Sequence, residues 1–184
     1  VLRIGLAVAL LTAPATIHAA ERAETAQENS EGWTVKSAWV TVLPRKEQTV
    51  VLLLLRSALN TNLITHVMPN ARKNPADMEW MIKTQFVGNY ELSRLATNSP
   101  DVRGPMSKCA HDLGLVIDGK MPLADYQSSS VQTTQALARV LSEIDLVEAE
   151  NTGRKYKRRI EETATHLIGF AKLAASQGPK GKLR

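Results

Sequence analysis

The chain has 184 residues, 43% of them hydrophobic, and a formal net charge of +5 at pH 7. Its apolar content suffices for a core, and its modest Gly and Pro content excludes a disordered or fibrous chain. The single cysteine, Cys109, excludes an internal disulfide and every multi-cysteine metal or haem-attachment motif.

The first twenty residues read as an export signal. Arg3 is the only charge before an apolar stretch from Ile4 to Ile17, and Ala19 and Ala20 form a small-residue end. The stretch is shorter than the about 20 apolar residues that a membrane span needs. A mature protein is therefore expected to begin near Ala20 or Glu21, in a thylakoid lumen or a bacterial periplasm. Residues 21–32 are polar and read as a mobile leader. Trp33, Val35, Val40 and Val42 then suggest an extended arm.

Pro44 marks a helix start. The first predicted helix covers 45–67 and ends at Pro69, and its Val50–Leu55 run is apolar all round, as in a central helix. Arg56 and the stretch Asn60–Thr61–Asn62 argue against a membrane span. The second helix opens with Asn74 as N-cap and Pro75 at the first helical position, with Asp77 and Glu79 in its first turn. Met78, Met81, Ile82, Phe86, Leu92 and Leu95 follow helical spacing, and Ser99–Pro100 is the expected stop. Gly88 inside this helix costs about 1 kcal/mol relative to Ala, so it marks a kink or the close approach of a neighbour.

A third, shorter helix is expected after Pro105, closed by Gly119 and Pro122. The fourth starts in Ser128–Ser129–Ser130 and carries Val131, Leu137, Leu141, Ile144 and Glu148 in one stripe. Asn151–Thr152–Gly153 reads as its break. In the last helix Tyr156, Ile160, Thr163, Leu167 and Phe170–Ala171 recur at three and four. Gly178–Pro179 ends it. The prediction is an all-α, up-and-down four-helix bundle with an extended N-terminal arm. Its parts are a signal segment (1–20), a leader and arm (21–43), the bundle (44–177) and a basic tail (178–184).

Charge is concentrated near the C-terminus. Between Asn151 and Arg184 nine basic residues face only Glu161 and Glu162, so this stretch carries +7 and the rest of the chain −2. Such a patch suits an acidic protein surface, an anionic membrane surface or nucleic acid, and export disfavours nucleic acid. A solvated basic helix face is the plain structural alternative.

No catalytic set is legible, and the expectation is a protein that is not an enzyme. His18 leaves with the signal, and His66, His111 and His166 fall on three predicted helices without helical ligand-pair spacing. Met68, Met78, Met81 and Met106 could in number supply haem ligands, but methionines at helical spacing read as core filler. Cys109 and His111, two residues apart on a helix, point to different faces and make a poor nucleophile–base pair. No metal site and no cofactor are expected.

Residues 77–175 resemble the PsbQ-like family, the extrinsic lumenal subunits of photosystem II. The second helix carries the family's run of Trp, a basic residue, Thr, an aromatic and Gly on Trp80, Lys83, Thr84, Phe86 and Gly88. In the last two helices Leu141, Ile144, Asp145, Val147, Tyr156, Leu167, Phe170 and Leu173 follow the family's Leu/Asp/Tyr pattern. The third helix matches weakly, and the leader lacks the plant branch's prolines. The resemblance implies a non-enzymatic subunit, monomeric before docking and peripheral to the membrane. It would dock on photosystem II in the thylakoid lumen and stabilise the oxygen-evolving complex. Partner contacts are expected at Arg154, Lys155, Lys157, Arg158 and Arg159, and in the arm at Trp33, Trp39 and Arg45. The alternative is a bacterial periplasmic helical-bundle binding or adaptor protein.

Overall fold

The computed structural model describes residues 31–71 and 73–177, and among these there are helices and no strand. The signal segment, the leader up to residue 30 and the basic tail lie outside the described residues. Residues 31–41 form helix α1, not an extended arm. The burial pattern gives the reason. Trp33, Ser37 and Val40 are buried at helical spacing, whereas Val35 and Val42 are 74% and 79% exposed. The β-branched residues favour a strand by propensity, but no partner strand is at hand, and a helix satisfies its own backbone.

Helix α2 (Arg45–Asn62) is the core helix, starting just after Pro44 as expected. It continues through a π-helical turn (Leu63–Val67) into the short α3 (Met68–Ala71). The predicted stop at Pro69 thus falls within the helix. A proline ring collides with the carbonyl four residues back in a regular α-helix. The preceding π turn, in which the Met68 N–H donates to Leu63, shifts that register and lets the chain continue. By length and hydropathy Arg45–Ala71 passes as a membrane span, despite Arg56 and the Asn60–Asn62 stretch. In this fold its Val51, Leu52, Leu55, Leu59 and Leu63 are packed into the core. Arg56 donates to the Asn89 side chain at 3.2 Å.

Helix α4 (Pro75–Leu95) begins where the sequence indicates, with the Ala76 N–H donating to Asn74 Oδ1 at 3.0 Å. It ends at Leu95, short of the predicted stop. Pro100 instead opens α5 (Pro100–Ile117). Pro105 lies inside α5 rather than before it. The one bond it forgoes is to the carbonyl of Asp101, in the exposed first turn. Gly119, at φ +69°, closes α5 in the left-handed region that suits glycine.

Helix α6 (Leu123–Ser142) ends earlier than its apolar stripe suggests, and α7 runs unbroken over Leu146–Gln177. The break lies at 143–145, not at Asn151–Thr152–Gly153. Asp145 decides it: its Oδ1 accepts from the Val147 and Glu148 N–H groups at 2.8 and 3.3 Å. Thr152 is buried within α7, and that packing outweighs the poor helix propensity of the triplet.

Helices α2, α4 and α7 contact one another, α5 lies along α4, and among the described residues the close backbone contacts of α6 are with α5. Gly88 lets α2 and α4 approach closely, since a Cβ there would lie 2.2 Å from Leu59 Cδ2. A buried polar knot joins the α1–α2 and α4–α5 turns. Gln48, fully buried, donates to the Val40 carbonyl at 2.9 Å and accepts from the Asn98 N–H at 2.7 Å. Thr49 donates to Ser99 at 2.9 Å, and Thr97 to the Thr41 carbonyl at 2.8 Å.

Candidate functional site

Two regions stand out, both on α7. The first is the basic stretch. Arg154, Lys155, Lys157, Arg158 and Arg159 are all exposed, but most are engaged within the protein. Arg154 pairs with Glu150 and Arg158 with Glu162, each one helical turn away. Lys155 reaches across to Glu47 on α2 at 2.8 Å, and Tyr156 donates its hydroxyl to the same carboxylate at 2.7 Å. These hydrogen bonds from Lys155 and Tyr156 hold the Glu47 carboxyl below its usual range, and Glu47 in turn pushes Lys155 up to about 12. The Arg159 guanidinium lies 5.6 Å from the Trp39 ring centroid. Among the described residues Lys157 alone of the five has neither an acidic nor an aromatic partner.

The arm residues are not brought together with this stretch as a set. Trp33 is 3% exposed, donates to Glu91 and stacks on Phe170 at 6.2 Å, so it is a core residue without a surface for a partner. The expected partner contact at Trp33 supposes an extended arm; the helical register of α1 turns the side chain inward instead. Trp39 is half-buried, 5.3 Å from Tyr156, and donates to Thr163 at 3.0 Å. Arg45 pairs with Asp101 at the start of α5, apart from the α7 cluster.

The second region is a cleft of about 560 Å³ between α2 and α7, flanked by the end of α6. Its walls are Val50, Leu53, Leu54, Leu141 and Ile144, with Gly153 on the α7 side and Arg154 and Lys157 among the lining residues. Leu54 and Leu141 are 40% and 51% exposed. The sequence shows only that Val50–Leu55 is apolar all round. The structure turns Val51, Leu52 and Leu55 into the core and leaves Leu53 and Leu54 facing the cleft, where α6 reaches them only through its C-terminal end at Leu141.

A third cluster joins α5 to α6 and is not legible in the sequence. Lys108 donates to Asp112 and to Ser129, both at 2.6 Å, and Ser129 donates to Asp112. Burial pushes the Asp112 carboxyl up, but the hydrogen bonds from Lys108 and Ser129 outweigh it and hold the group below its usual range. An ion-paired Lys108 cannot take the Ser129 proton, so the trio works as an interhelical clasp. Cys109 is buried, with Sγ 3.6 Å from the Tyr126 hydroxyl, and burial together with the thiol raises the tyrosine's pKa. His66, His111 and His166 are exposed, and among the described residues no three His, Cys, Asp or Glu side chains are grouped to hold a metal.

No protein-family model, curated protein or solved structure matches this chain.

Proposed function

We propose that this chain is a non-enzymatic, extrinsic helical-bundle subunit that docks on an acidic protein surface, as its resemblance to the PsbQ-like family implies. In that reading the surface belongs to photosystem II, on the lumenal side, and docking stabilises the oxygen-evolving complex. The observation that carries it is the row of five exposed basic residues from Arg154 to Arg159 on one long, well-packed helix. Their internal partners are mostly surface carboxylates, and exposed pairs of this kind are worth about 0–1 kcal/mol. They exchange readily for a partner's acidic groups, and charge pairing steers the encounter. The docking face comprises Trp39 with α7; Trp33 is structural.

The test is rebinding to photosystem II membranes stripped of extrinsic subunits. The wild-type chain should bind at low salt and be released as salt rises. Arg158→Glu with Arg159→Glu should abolish binding. A wild-type chain that stays in solution at low salt overturns the reading.

The cleft favours a second reading, a bacterial periplasmic binding or adaptor protein, since a docking subunit has no need of an open apolar recess. Fractionation of the source organism separates the two: comigration with photosystem II supports the first, and free periplasmic protein the second.

A further inference from the structure

The cleft between α2 and α7 has features that a packing defect would not need. Gly153 sits in the interior of a 32-residue helix, where glycine costs about 1 kcal/mol relative to Ala. Its backbone does not require glycine, because Gly119 is the one glycine with positive φ among the described residues. Nor does close helix packing, because a Cβ at Gly153 would meet Leu54 Cδ1 at 3.7 Å, an ordinary contact. What the missing side chain does is keep the α7 wall of the cleft low.

The lining is divided by chemistry. Val50, Leu53, Leu54 and Ile144 make an apolar trough, while Arg154 and Lys157 stand one turn apart on α7 beside Glu150, a lining carboxylate that Arg154 neutralises. Arg154 already holds Glu150, so Lys157 is the cation left for an incoming anion among the described residues. The volume, about 560 Å³, falls within the roughly 300–1,000 Å³ range of small-molecule sites.

We propose that this cleft binds a single-chain amphiphile with an anionic headgroup, of the fatty-acid class. The alkyl chain lies against Leu53, Leu54 and Ile144, and the carboxylate is held by Lys157 with Arg154 beside it. A charged headgroup accounts for Lys157, the cation that Glu150 does not neutralise, and an alkyl chain suits a cleft with no polar group on its α2 side except Ser57. The inference rests on the cleft and deepens the binding-protein reading; it does not depend on docking to photosystem II.

The experiment is calorimetric titration of the full chain with dodecanoate below its micelle concentration. Octanoate and decanoate provide a length series, and dodecyltrimethylammonium provides the same chain with the opposite charge. Dodecanoate should bind one per chain, and each methylene added along the series should tighten binding about threefold to fourfold. The cationic analogue should bind at least about tenfold more weakly. Gly153→Leu, which improves helix propensity and fills the trough, should abolish binding while keeping the helical circular dichroism. Lys157→Glu should weaken dodecanoate about tenfold and narrow the gap to the cationic analogue. Equal binding of the two headgroups, undiminished binding by Gly153→Leu, or no binding by the wild type overturns the proposal. Arg154 and Lys157 belong to both surfaces, but Arg158 and Arg159 lie outside the cleft. Arg158→Glu with Arg159→Glu should abolish rebinding to stripped membranes and leave dodecanoate binding unchanged, so the failure of one reading is distinguishable from the failure of the other.

Discussion

Trp33 donates its indole N–H to Glu91 at 2.9 Å in the protein interior, across fifty-eight residues of chain. The bond fastens α1 to α4, and the stacking of Trp33 on Phe170 fastens it to α7 as well. Helix α1 is therefore an integral layer of the fold. Trp33→Ala should cost roughly 3–5 kcal/mol, as for other large buried aromatics. Trp33→Phe, which keeps the ring but leaves Glu91 without its indole donor, should cost about 1–3 kcal/mol. Urea midpoints measure both, and a Trp33→Ala protein as stable as the wild type would mean that α1 is not docked in solution.

Gly88 and Leu59 form a close approach between α2 and α4. A Cβ at Gly88 would lie 2.2 Å from Leu59 Cδ2, so the fully buried Leu59 side chain would have to shift within the core. Gly88→Ala gains about 1 kcal/mol of helix propensity but overpacks the core at a cost of about 1–3 kcal/mol. The net expectation is destabilisation by up to about 2 kcal/mol. In a Leu59→Ala background the penalty should disappear and the propensity gain should emerge. A double-mutant cycle without coupling would refute the contact.

The position of the α6–α7 break gives two substitutions of opposite sign. Asp145→Ala removes the cap on the Val147 and Glu148 N–H groups and should cost about 1 kcal/mol. Asp145→Asn should retain most of it. Gly153→Ala should stabilise the protein by up to about 1 kcal/mol, because residue 153 is helical and its Cβ has room. Were the break at Asn151–Thr152–Gly153, Gly153→Ala would destabilise instead, so thermal melts of the two variants distinguish the topologies.

Acid should loosen the α5–α6 clasp. The Asp112 carboxyl has a folded pKa below its ordinary value of 3.8, so the fold favours its charged form. Its contribution is fully present above pH 3.8 and is lost as pH falls through the folded pKa. Glu47 behaves in the same way below its ordinary 4.5, through Lys155 and Tyr156. The stability gap between the wild type and Asp112→Asn, followed by urea denaturation from pH 7 downward, should hold steady to about pH 4 and then close. A gap independent of pH would show that the charge on Asp112 does not contribute.

Local chemistry was enough to place several elements. The Asn74–Pro75 start of α4, the Gly119 stop of α5 and the all-helical character follow from backbone hydrogen-bonding needs that involve only neighbouring residues. Gly88 as a point of close approach was also readable, since an interior glycine asks for a reason. The Asp145–Glu148 spacing is a start signal too, but it competes with the weak helix formers Asn151 and Gly153, and the burial of Thr152 decides between them.

The remainder depended on partners distant in the chain. Trp33 turns inward because Glu91 and Phe170 receive it, and no feature of residues 33–42 alone announces that. The exposed basic row was legible as charge, but its pairing with Glu47, Glu150 and Glu162 was not fully so: the two pairs within α7 follow helical spacing, whereas Lys155–Glu47 needs α2 and α7 side by side. The cleft was invisible in the sequence for the same reason. An apolar run states that burial is favourable, but which of its residues are covered is settled by the faces that α4 and α7 present to α2, and those are distant in the chain.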